Sequence, residues 1–257
     1  MYLELIEAIL AGATIVIGGI VEGYGYGLSL GTSWPYSRDF TSALSKGDPE
    51  AIHRMIATII GILAILLIPL SGFSLISILG LVSVIITALL GMATLYVLAG
   101  KLPSVFQGFH DIAAYTTFVI YLIMALRPDL NILNFLIEAI TPPHFLYFVI
   151  FMGGVVTGSR RMKYEIGNIL RPKNSIQVAW LIHGIATIVF LISLILYTLN
   201  SSILYIIPLI LTIITSLIGL LTYRKINSNP IKPGIFVGLH QLFSLIIVVS
   251  LVLLSIS

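Results

Sequence analysis

Long apolar runs separated by short polar connections constrain the fold of this chain more than any other feature. The first run, AILAGATIVIGGIV at residues 8–21, contains no charged side chain. A helix needs roughly 20 apolar residues to cross the hydrocarbon core of a bilayer. By that criterion the sequence predicts an all-α polytopic membrane protein with eight transmembrane helices. The predicted spans are residues 5–22, 52–70, 73–99, 105–126, 131–157, 175–199, 202–222 and 234–256.

The composition excludes several other classes of protein. Hydrophobic residues make up 58% of the chain and charged residues 9%, whereas soluble domains carry about 25% charged residues. No soluble domain and no nucleic-acid partner is therefore predicted. Because there is no cysteine, disulfides and thiolate metal sites are excluded. Glu4 and Glu7 stand where a signal peptide would carry basic residues, which predicts that the first span is retained.

Two histidine-containing segments indicate an internal repeat. PSVFQGFH at residues 103–110 and PGIFVGLH at residues 233–240 both fit P-x-x-F-x-G-x-H, with an offset of 240 − 110 = 130. His53 and His183 keep the same offset, since 183 − 53 = 130. Chance similarity between apolar segments does not explain two histidine pairs with one spacing.

The first predicted helix of each repeat also matches. GGIVEG at residues 18–23 resembles GGVVTG at residues 153–158, with an offset of 153 − 18 = 135. An even number of spans gives both copies the same membrane orientation, which is a parallel repeat. The sequence thus predicts a first unit, residues 1–128, and a second unit, residues 129–257, each a four-helix bundle.

Four of the five histidines are predicted to lie near one face of the membrane, because each begins an even-numbered span. They are His53, His110, His183 and His240. Each unit holds two, on its second and fourth helices, which run parallel. Ionisable residues within spans indicate functional sites. The fifth histidine, His144, lies on the opposite side without a repeat partner, and we interpret it as structural.

Paired imidazoles on facing helices suit a haem, in which each supplies one axial nitrogen to the iron inside a dry bundle. Zinc is the competing metal, but it usually takes three or four ligands. No carboxylate accompanies His183 and His240 on their helices to complete such a set. Histidines that only form structural hydrogen bonds, and a transporter with paired metal sites, are the remaining alternatives.

The two units differ around the first histidine of each. Glu50 and Arg54 flank His53, whereas Trp180 and Gly184 occupy the matching positions of the second unit. Residues 23–50 form a glycine-rich lid loop that is longer than its counterpart. These differences predict chemistry at the first pair and an electron-relay or spectator site at the second.

The chain resembles the haem A synthase family over nearly its whole length, in its eight predicted helices and four histidines. EAIHR at residues 50–54 matches the family's E-x-x-H-R. YGYGLSLGTSWPYS at residues 24–37 keeps the Gly-x-Gly-Leu and Trp-Pro of the family's first loop but lacks its two cysteines. Asp111 and Gly184 also depart from the basic residue that often follows the histidine in the family.

The resemblance implies oxidation of the C8 methyl of haem O to the formyl group of haem A, for use in terminal oxidases. His53 and His110 would flank this substrate haem, with Glu50 essential to the reaction. His183 and His240 would hold a haem b. The alternative is a di-haem cytochrome b subunit of the membrane that only transfers electrons, which the missing cysteines favour.

The loop between the first two spans is expected to cap the first haem pocket. Trp34, which offers the loop an amphipathic surface at the membrane interface, and Arg54, through a haem carboxylate, are both expected to bind the cofactor. GYGYG is not a nucleotide-binding fingerprint, because it follows a membrane helix rather than a strand.

The expected location is the cell membrane, with multiple spans. Membrane lipid is the expected partner, together with an electron donor that the sequence does not identify. Haem O synthase, terminal oxidase subunits and a second copy of the chain stay open as partners.

The loops on the histidine side carry Arg160 and ten further Lys or Arg residues, and the other side only Arg127. The positive-inside rule would put the histidine side in the cytoplasm, whereas the resembled family has it outside.

Overall fold

The computed structural model describes residues 2–138 and 145–256, and throughout those ranges every regular element is a helix. A short 3₁₀ turn, Ile203–Tyr205, leads directly into one of them. The helices are α1 (Tyr2–Gly23), α2 (Phe40–Ser45), α3 (Pro49–Leu70), α4 (Leu75–Leu98), α5 (Val105–Leu126), α6 (Ile132–Glu138), α7 (Leu146–Arg160), α8 (Ser175–Asn200), α9 (Ile206–Ser228) and α10 (Phe236–Ile256).

Local sequence explains where the helices that carry the histidines begin. Asp48 caps α3 by accepting hydrogen bonds from the backbone N–H groups of Glu50 and Ala51, and Pro49 occupies the first helical position. Asn174 caps α8 by accepting a hydrogen bond from the N–H of Gln177. Such caps satisfy N–H groups that would otherwise lack a partner at a helix start. The start of α3 at residue 49 places Glu50 inside the helix, so the predicted lid loop ends at Asp48 rather than at residue 50.

Seven helices among the described residues are long and apolar enough to cross a membrane: α1, α3, α4, α5, α8, α9 with its 3₁₀ turn, and α10. Their outer faces expose large side chains such as Ile65, Leu89 and Leu196, which suits contact with lipid tails. A multi-pass membrane protein is therefore the architecture that the helices support.

The prediction of one continuous fifth span over residues 131–157 differs from the structure. That segment contains two shorter helices, α6 and α7. With 15 residues at a rise of about 1.5 Å each, α7 is about 22 Å long, less than the roughly 30 Å hydrocarbon core. Residues 139–144, including His144, lie outside the described residues. The count of eight spans is thus not confirmed.

The helices pack in two groups. In the first group α1 contacts α3, α3 contacts α4, α4 contacts α5, and α5 contacts α1, which closes a ring. In the second group α7 contacts α8, α8 contacts α9, and α9 contacts α10. The groups meet where α1 packs on α10 and α5 packs on α7.

Small residues bring the two groups close together. A Cβ built on Gly19 of α1 would lie 3.0 Å from the Cα of Gly238 of α10. A Cβ built on Gly154 of α7 would lie 2.8 Å from the Cα of Gly108 of α5. Helices in membranes commonly use glycine at such crossings because the backbones can then approach closely. Both crossings lie near the ends of α1 and α7, beside the histidine-bearing segments.

Candidate functional site

All four predicted site histidines occupy the first three turns of their helices, α3, α5, α8 and α10. We call the side where these helices begin the histidine face and the other side the distal face. The Nδ1 atom of each histidine is hydrogen-bonded to a backbone carbonyl of a different helix. These acceptor helices are α1, α4, α7 and α9. The pairs are His53 with Thr14 at 3.1 Å, His110 with Thr87 at 3.1 Å, His183 with Val149 at 2.9 Å, and His240 with Thr215 at 3.2 Å.

This contact fixes the tautomer of each ring. A carbonyl oxygen only accepts hydrogen bonds, so Nδ1 carries the proton and Nε2 keeps its lone pair. Metal-binding histidines commonly donate their second ring N–H to a carbonyl, because this orients the ring and raises its basicity. The four imidazoles are thus held with Nε2 as the nitrogen available to a metal.

A glycine lies four residues after each carbonyl acceptor, one turn further along the same helix. Cβ atoms built on these glycines would lie close to the Cε1 atom of the histidine ring, and the four distances are similar. They are 3.5 Å for Gly18 and His53, 3.2 Å for Gly91 and His110, 3.4 Å for Gly153 and His183, and 3.2 Å for Gly219 and His240. The glycines therefore make room for the rings. The matching offsets, 153 − 18 = 135 and 219 − 91 = 128, are a signal in the sequence that could have revealed this arrangement.

The histidines come together in the predicted pairs. The ring centres of His183 and His240 are 6.3 Å apart, with an angle of 66° between the ring planes. Two metal–nitrogen bonds of about 2.0 Å, with each nitrogen roughly 1.1 Å from its ring centre, would separate two in-line rings by about 6.2 Å. His53 and His110 lie near the starts of α3 and α5, which both pack against α1 and α4.

Within residues 2–138 and 145–256, His, Cys, Asp and Glu side chains do not form a group of three or more suited to a metal ion. A zinc site usually needs three or four protein ligands. Each pair instead offers two imidazole nitrogens, which fits a metal whose other ligands come from a macrocycle. The residues present therefore fit a haem with two axial histidines.

Glu50 and Arg54 come together beside His53. The Glu50 side chain is buried, with an exposed fraction of 5%, and its Oε1 accepts a hydrogen bond from Nη2 of Arg54 in an ion pair. Its Oε2 accepts hydrogen bonds from the hydroxyl of Ser29 at 2.9 Å and from the N–H of Leu30 at 3.3 Å. The carboxylate therefore fastens the lid loop to the start of α3.

Arg54 fastens a second point of the loop. Its Nη1 donates hydrogen bonds to the carbonyls of Ser33 at 2.6 Å and of Pro35 at 3.2 Å. Trp34 lies between these two anchors, and 42% of its surface is exposed. The structure thus connects Arg54 with Glu50 and the lid loop, and it places Trp34 on the outside of that loop. A contact of either residue with a cofactor stays a prediction.

The second unit has aromatic and small residues at the matching positions. The Trp180 ring lies 6.1 Å from the His183 ring and 5.1 Å from the Tyr223 ring, measured between centroids. A Cβ built on Gly184 would meet nothing within 4 Å. The surroundings of His183 thus contain an aromatic stack where those of His53 contain an ion pair.

A buried ion pair joins α1 and α7, and it was not predicted from the sequence. Arg160 is 1% exposed, and its Nη1 donates a hydrogen bond to Oε1 of Glu22 at 2.7 Å. Thr157 donates to the other oxygen of Glu22 at 3.1 Å. Arg160 also donates to the carbonyls of Tyr164 and Pro230. The assignment of Arg160 to the loop cations was wrong, because the residue ends α7 and points into the protein.

No protein-family model matches the chain, and no curated protein or solved structure shows significant similarity to it.

Proposed function

We propose that the chain is a haem-dependent oxidoreductase of the cell membrane, of the haem A synthase type. It would oxidise the C8 methyl of haem O to a formyl group. The observation that carries the proposal is the arrangement of the four imidazoles. They form two pairs, and every Nδ1 is bound to a helix carbonyl. Among the described residues, only the first pair has a lid fastened by a buried carboxylate.

The proposal includes the predicted architecture of eight spans in two parallel-repeat bundles, residues 1–128 and 129–257. Support comes from the carbonyl acceptor and the following glycine, which occur in the same order on α1, α4, α7 and α9. The crossings of α1 with α10 and of α7 with α5 use glycines at corresponding positions, since 154 − 19 = 135 and 238 − 108 = 130.

In this function His53 and His110 hold the substrate haem O, which leaves as haem A, and His183 and His240 hold a haem b. When bound, the haems supply redox-active iron that exchanges single electrons. The helix carbonyls orient the imidazoles by accepting each Nδ1–H, which leaves Nε2 as the ligand atom.

Glu50 and Arg54 close the first pocket on the histidine face. Their ion pair holds residues 29–35 over the start of α3. A closed loop excludes water, which strengthens electrostatic interactions inside the pocket. Release of this pair would open the loop and admit a substrate as large as haem. Trp34, exposed on the same loop, would contact the membrane interface or the entering substrate.

A specific observation favours a second candidate, a di-haem subunit that only transfers electrons. Both oxygens of Glu50 are engaged by Arg54, Ser29 and Leu30. The carboxylate therefore has a structural task that requires no chemistry at the first pair. Both candidates share the histidines and differ in whether a haem is oxidised.

The proposed partners follow from the substrate. Haem O synthase would supply haem O, a terminal oxidase would receive haem A, and an unidentified donor or acceptor would exchange electrons with the second pair. The exposed apolar faces of the long helices would contact membrane lipid. A second copy of the chain is a further proposed partner.

Co-expression with a haem O synthase separates the two candidates. The extracted haems would be analysed by chromatography for wild type, Glu50→Ala and Trp180→Ala. Wild type should yield haem A or its hydroxylated intermediate. Glu50→Ala should lose that product, and the matched control Trp180→Ala should retain it. A wild-type protein that carries two unmodified b-type haems and makes no oxidised haem would exclude the synthase and leave the electron-transfer subunit.

A further inference from the structure

We propose that the second unit carries a docking surface for an acidic electron-transfer protein on the histidine face. The surface is formed by residues 161–174 and 223–235, which we call the basic platform. The inference rests on the proposed haem between His183 and His240, and it names the chemistry of the partner that exchanges electrons with that haem. It applies to both candidate functions, because in each of them electrons enter or leave through the second pair.

The basic platform carries most of the exposed charge on the histidine face. It has seven basic residues and one acidic residue, Glu165, so its formal charge is 7 − 1 = +6. All seven basic residues are exposed, four in the first segment and three in the second. The loops of the first unit on this face, residues 24–48 and 99–104, have three basic and two acidic residues, or 3 − 2 = +1. A negatively charged partner is therefore attracted to the second unit.

Hydrogen bonds hold the two segments of the basic platform together. Oδ1 of Asn227 accepts the N–H groups of Ile166 at 2.9 Å and of Gly167 at 2.8 Å. The N–H of Lys173 donates to Oε1 of Gln177 on α8 at 2.6 Å. Ile166 is 1% exposed and belongs to a small apolar core under the surface. The cations are thus presented on a preformed surface, which lowers the entropic cost of binding a partner.

Helix lengths place the basic platform on the water side of the hydrocarbon region. Twenty residues counted from Ile203 cover about 30 Å, the thickness of the hydrocarbon core, and end at Thr222. Asn227, to which residues 166 and 167 are bonded, lies five residues, or about 7 Å, further along α9. Twenty residues counted back from Asn200 on α8 end at Leu181, six residues after the first segment of the basic platform. A water-soluble protein can therefore reach this surface.

Exposed apolar side chains accompany the cations. Leu170 is 86% exposed, Ile231 55% and Tyr164 47%, and Leu170 directly precedes Arg171. Protein interfaces commonly combine an apolar centre with a polar, solvated rim. Anionic lipid headgroups would pair with the cations but would leave a leucine outside the hydrocarbon region without an apolar contact. The combination of charge and apolar side chains favours a protein as the partner.

The basic platform lies close to the second histidine pair. The Tyr223 hydroxyl donates a hydrogen bond to the carbonyl of Gly167 at 2.6 Å. The Tyr223 ring lies 5.1 Å from the Trp180 ring, which lies 6.1 Å from the His183 ring, measured between centroids. Two aromatic rings thus separate the surface from an axial ligand of the proposed haem.

The first unit does not repeat these aromatic contacts. At the offset of 130, Trp180 is matched by Glu50, and at the offset of 128, Tyr223 is matched by Leu95. The lid loop is fastened over the start of α3. A partner on the basic platform therefore approaches the second pair without displacing the lid loop, so substrate and electrons can reach different units.

The electron step needs no transfer of atoms. In the direction tested below, the reduced partner loses one electron, and the ferric haem between His183 and His240 gains it. The basic platform attracts and orients the partner. Opposite charges raise the rate of association, and the increase falls as the ionic strength rises.

The first experiment measures docking itself. The purified full chain in nonionic detergent would be titrated with a dye-labelled acidic flavodoxin, and fluorescence anisotropy would give the Kd at low and at physiological salt. Wild type should bind more tightly at low salt. The double variant Arg171→Glu, Lys173→Glu should bind about tenfold more weakly or less. The matched control Arg38→Glu, Lys46→Glu reverses two exposed cations of the first unit and should change the Kd by less than about twofold.

The second experiment measures electron transfer. Stopped-flow absorption would follow reduction of the second-pair haem by reduced flavodoxin. The double variant of the basic platform should react about tenfold more slowly than wild type at low salt, whereas dithionite should reduce both proteins at the same rate. Flavodoxin binding and reduction that are unchanged in this variant would overturn the proposal.

Two further outcomes have distinct meanings. Absence of flavodoxin binding, together with greater retention of phosphatidylglycerol by wild type than by the double variant, would assign the basic platform to lipid headgroups and overturn the proposal. If wild type binds no haem between His183 and His240, the proposed function fails. The titration still shows whether the platform docks an acidic protein, because it requires no haem, so the two failures are distinguishable.

Discussion

Around His53 the protein has Glu50 and Arg54, and around His183, at the offset of 130, it has Trp180 and Gly184. Both histidines bind a helix carbonyl through Nδ1 and pack against a glycine. The immediate supports of the rings are thus the same, and the differences lie in the next layer of residues. Ring orientation is therefore common to both units, whereas an ion pair and a fastened loop lie beside His53 and an aromatic stack lies beside His183.

The same contrast continues across the membrane. The first unit places hydroxyls at Ser83 and Thr117 where the second has leucine and isoleucine. Burying polar groups costs free energy unless they are hydrogen-bonded. These hydroxyls are hydrogen-bonded to each other, and Thr117 also donates to the carbonyl of Ala113. The two units therefore differ in polarity at these positions as well as around their first histidines.

The largest expected effect comes from the histidines themselves. His53→Ala should remove the metal site of the first pair, and His183→Ala that of the second. The loss in affinity should exceed about 100-fold, since even outer-shell partners of a ligand are worth 10- to 100-fold. Haem extraction and absorption spectra of the two variants give the occupancy of each pair. Loss of both haems in either variant would show that the two histidine pairs do not bind haem independently, and that they cannot be compared as separate sites.

The ion pair between Glu22 and Arg160 should affect both units. Arg160→Ala leaves the buried carboxylate of Glu22 uncompensated, which should destabilise the protein by about 3–5 kcal/mol. Denaturant unfolding of the purified protein measures this change. The double variant Glu22→Met, Arg160→Met should recover most of the loss, because it removes both charges.

A matched control for the buried pair is Arg171→Ala, which removes an exposed arginine. Its effect should stay within about 0.5 kcal/mol. Selective loss of one haem in Arg160→Ala, without general destabilisation, would contradict the view that this ion pair stabilises both units.

Glu50→Ala should act on the first unit alone. Arg54 would lose its ion partner, and Ser29 and Leu30 would lose their acceptor. We expect the closed loop to be less stable by about 1–3 kcal/mol. Cleavage of the loop by trypsin at Arg38 or Lys46 should then accelerate about 5- to 150-fold, since 1.4 kcal/mol corresponds to a factor of ten.

Trp180→Ala serves as the counterpart for this measurement. It should leave the cleavage rate of the lid loop unchanged and weaken haem retention only at His183 and His240. An unchanged cleavage rate in Glu50→Ala would show that the carboxylate does not hold the loop, and would favour a role in chemistry instead.

The smallest effects should come from the glycines beside the rings. A methyl group at Gly91 or Gly219 would lie 3.2 Å from a histidine carbon, so the ring must shift by a few tenths of an ångström. Gly91→Ala should weaken haem retention several-fold at the first pair and Gly219→Ala at the second. Gly61→Ala and Gly184→Ala are matched controls, because their added methyl groups meet nothing within 4 Å. They should stabilise their helices by about 0.5–1 kcal/mol. Equal effects of all four substitutions would show that Gly91 and Gly219 do not position the histidine rings.

The histidine pairs could be predicted from sequence because histidine is rare in apolar helices and the offset of 130 occurs twice. The second span was predicted from residue 52, and α3 begins three residues earlier at Pro49, where Asp48 and Pro49 form a recognisable helix start. α5 occupies residues 105–126 as predicted. These features depend on local composition and spacing, which a single sequence contains.

Contacts between distant segments could not be predicted in the same way. Glu22 and Arg160 are 138 residues apart, and neither carries a local signal of the other. Glu7 was interpreted only as an acidic residue near the start of the first span, because its burial depends on α4 and α5. The fifth span was predicted as continuous because residues 131–157 are apolar throughout, and composition does not mark the end of α6. The contacts of Glu50 likewise depend on how the loop folds back.

The proposed function requires two haems in the chain, each between two histidines. The absorption spectrum and extracted haem content of the purified protein test this requirement. We expect two haems per chain, with the reduced spectrum of low-spin, six-coordinate iron, because two imidazoles would bind each iron. A colourless protein that binds zinc in stoichiometric amount would contradict it.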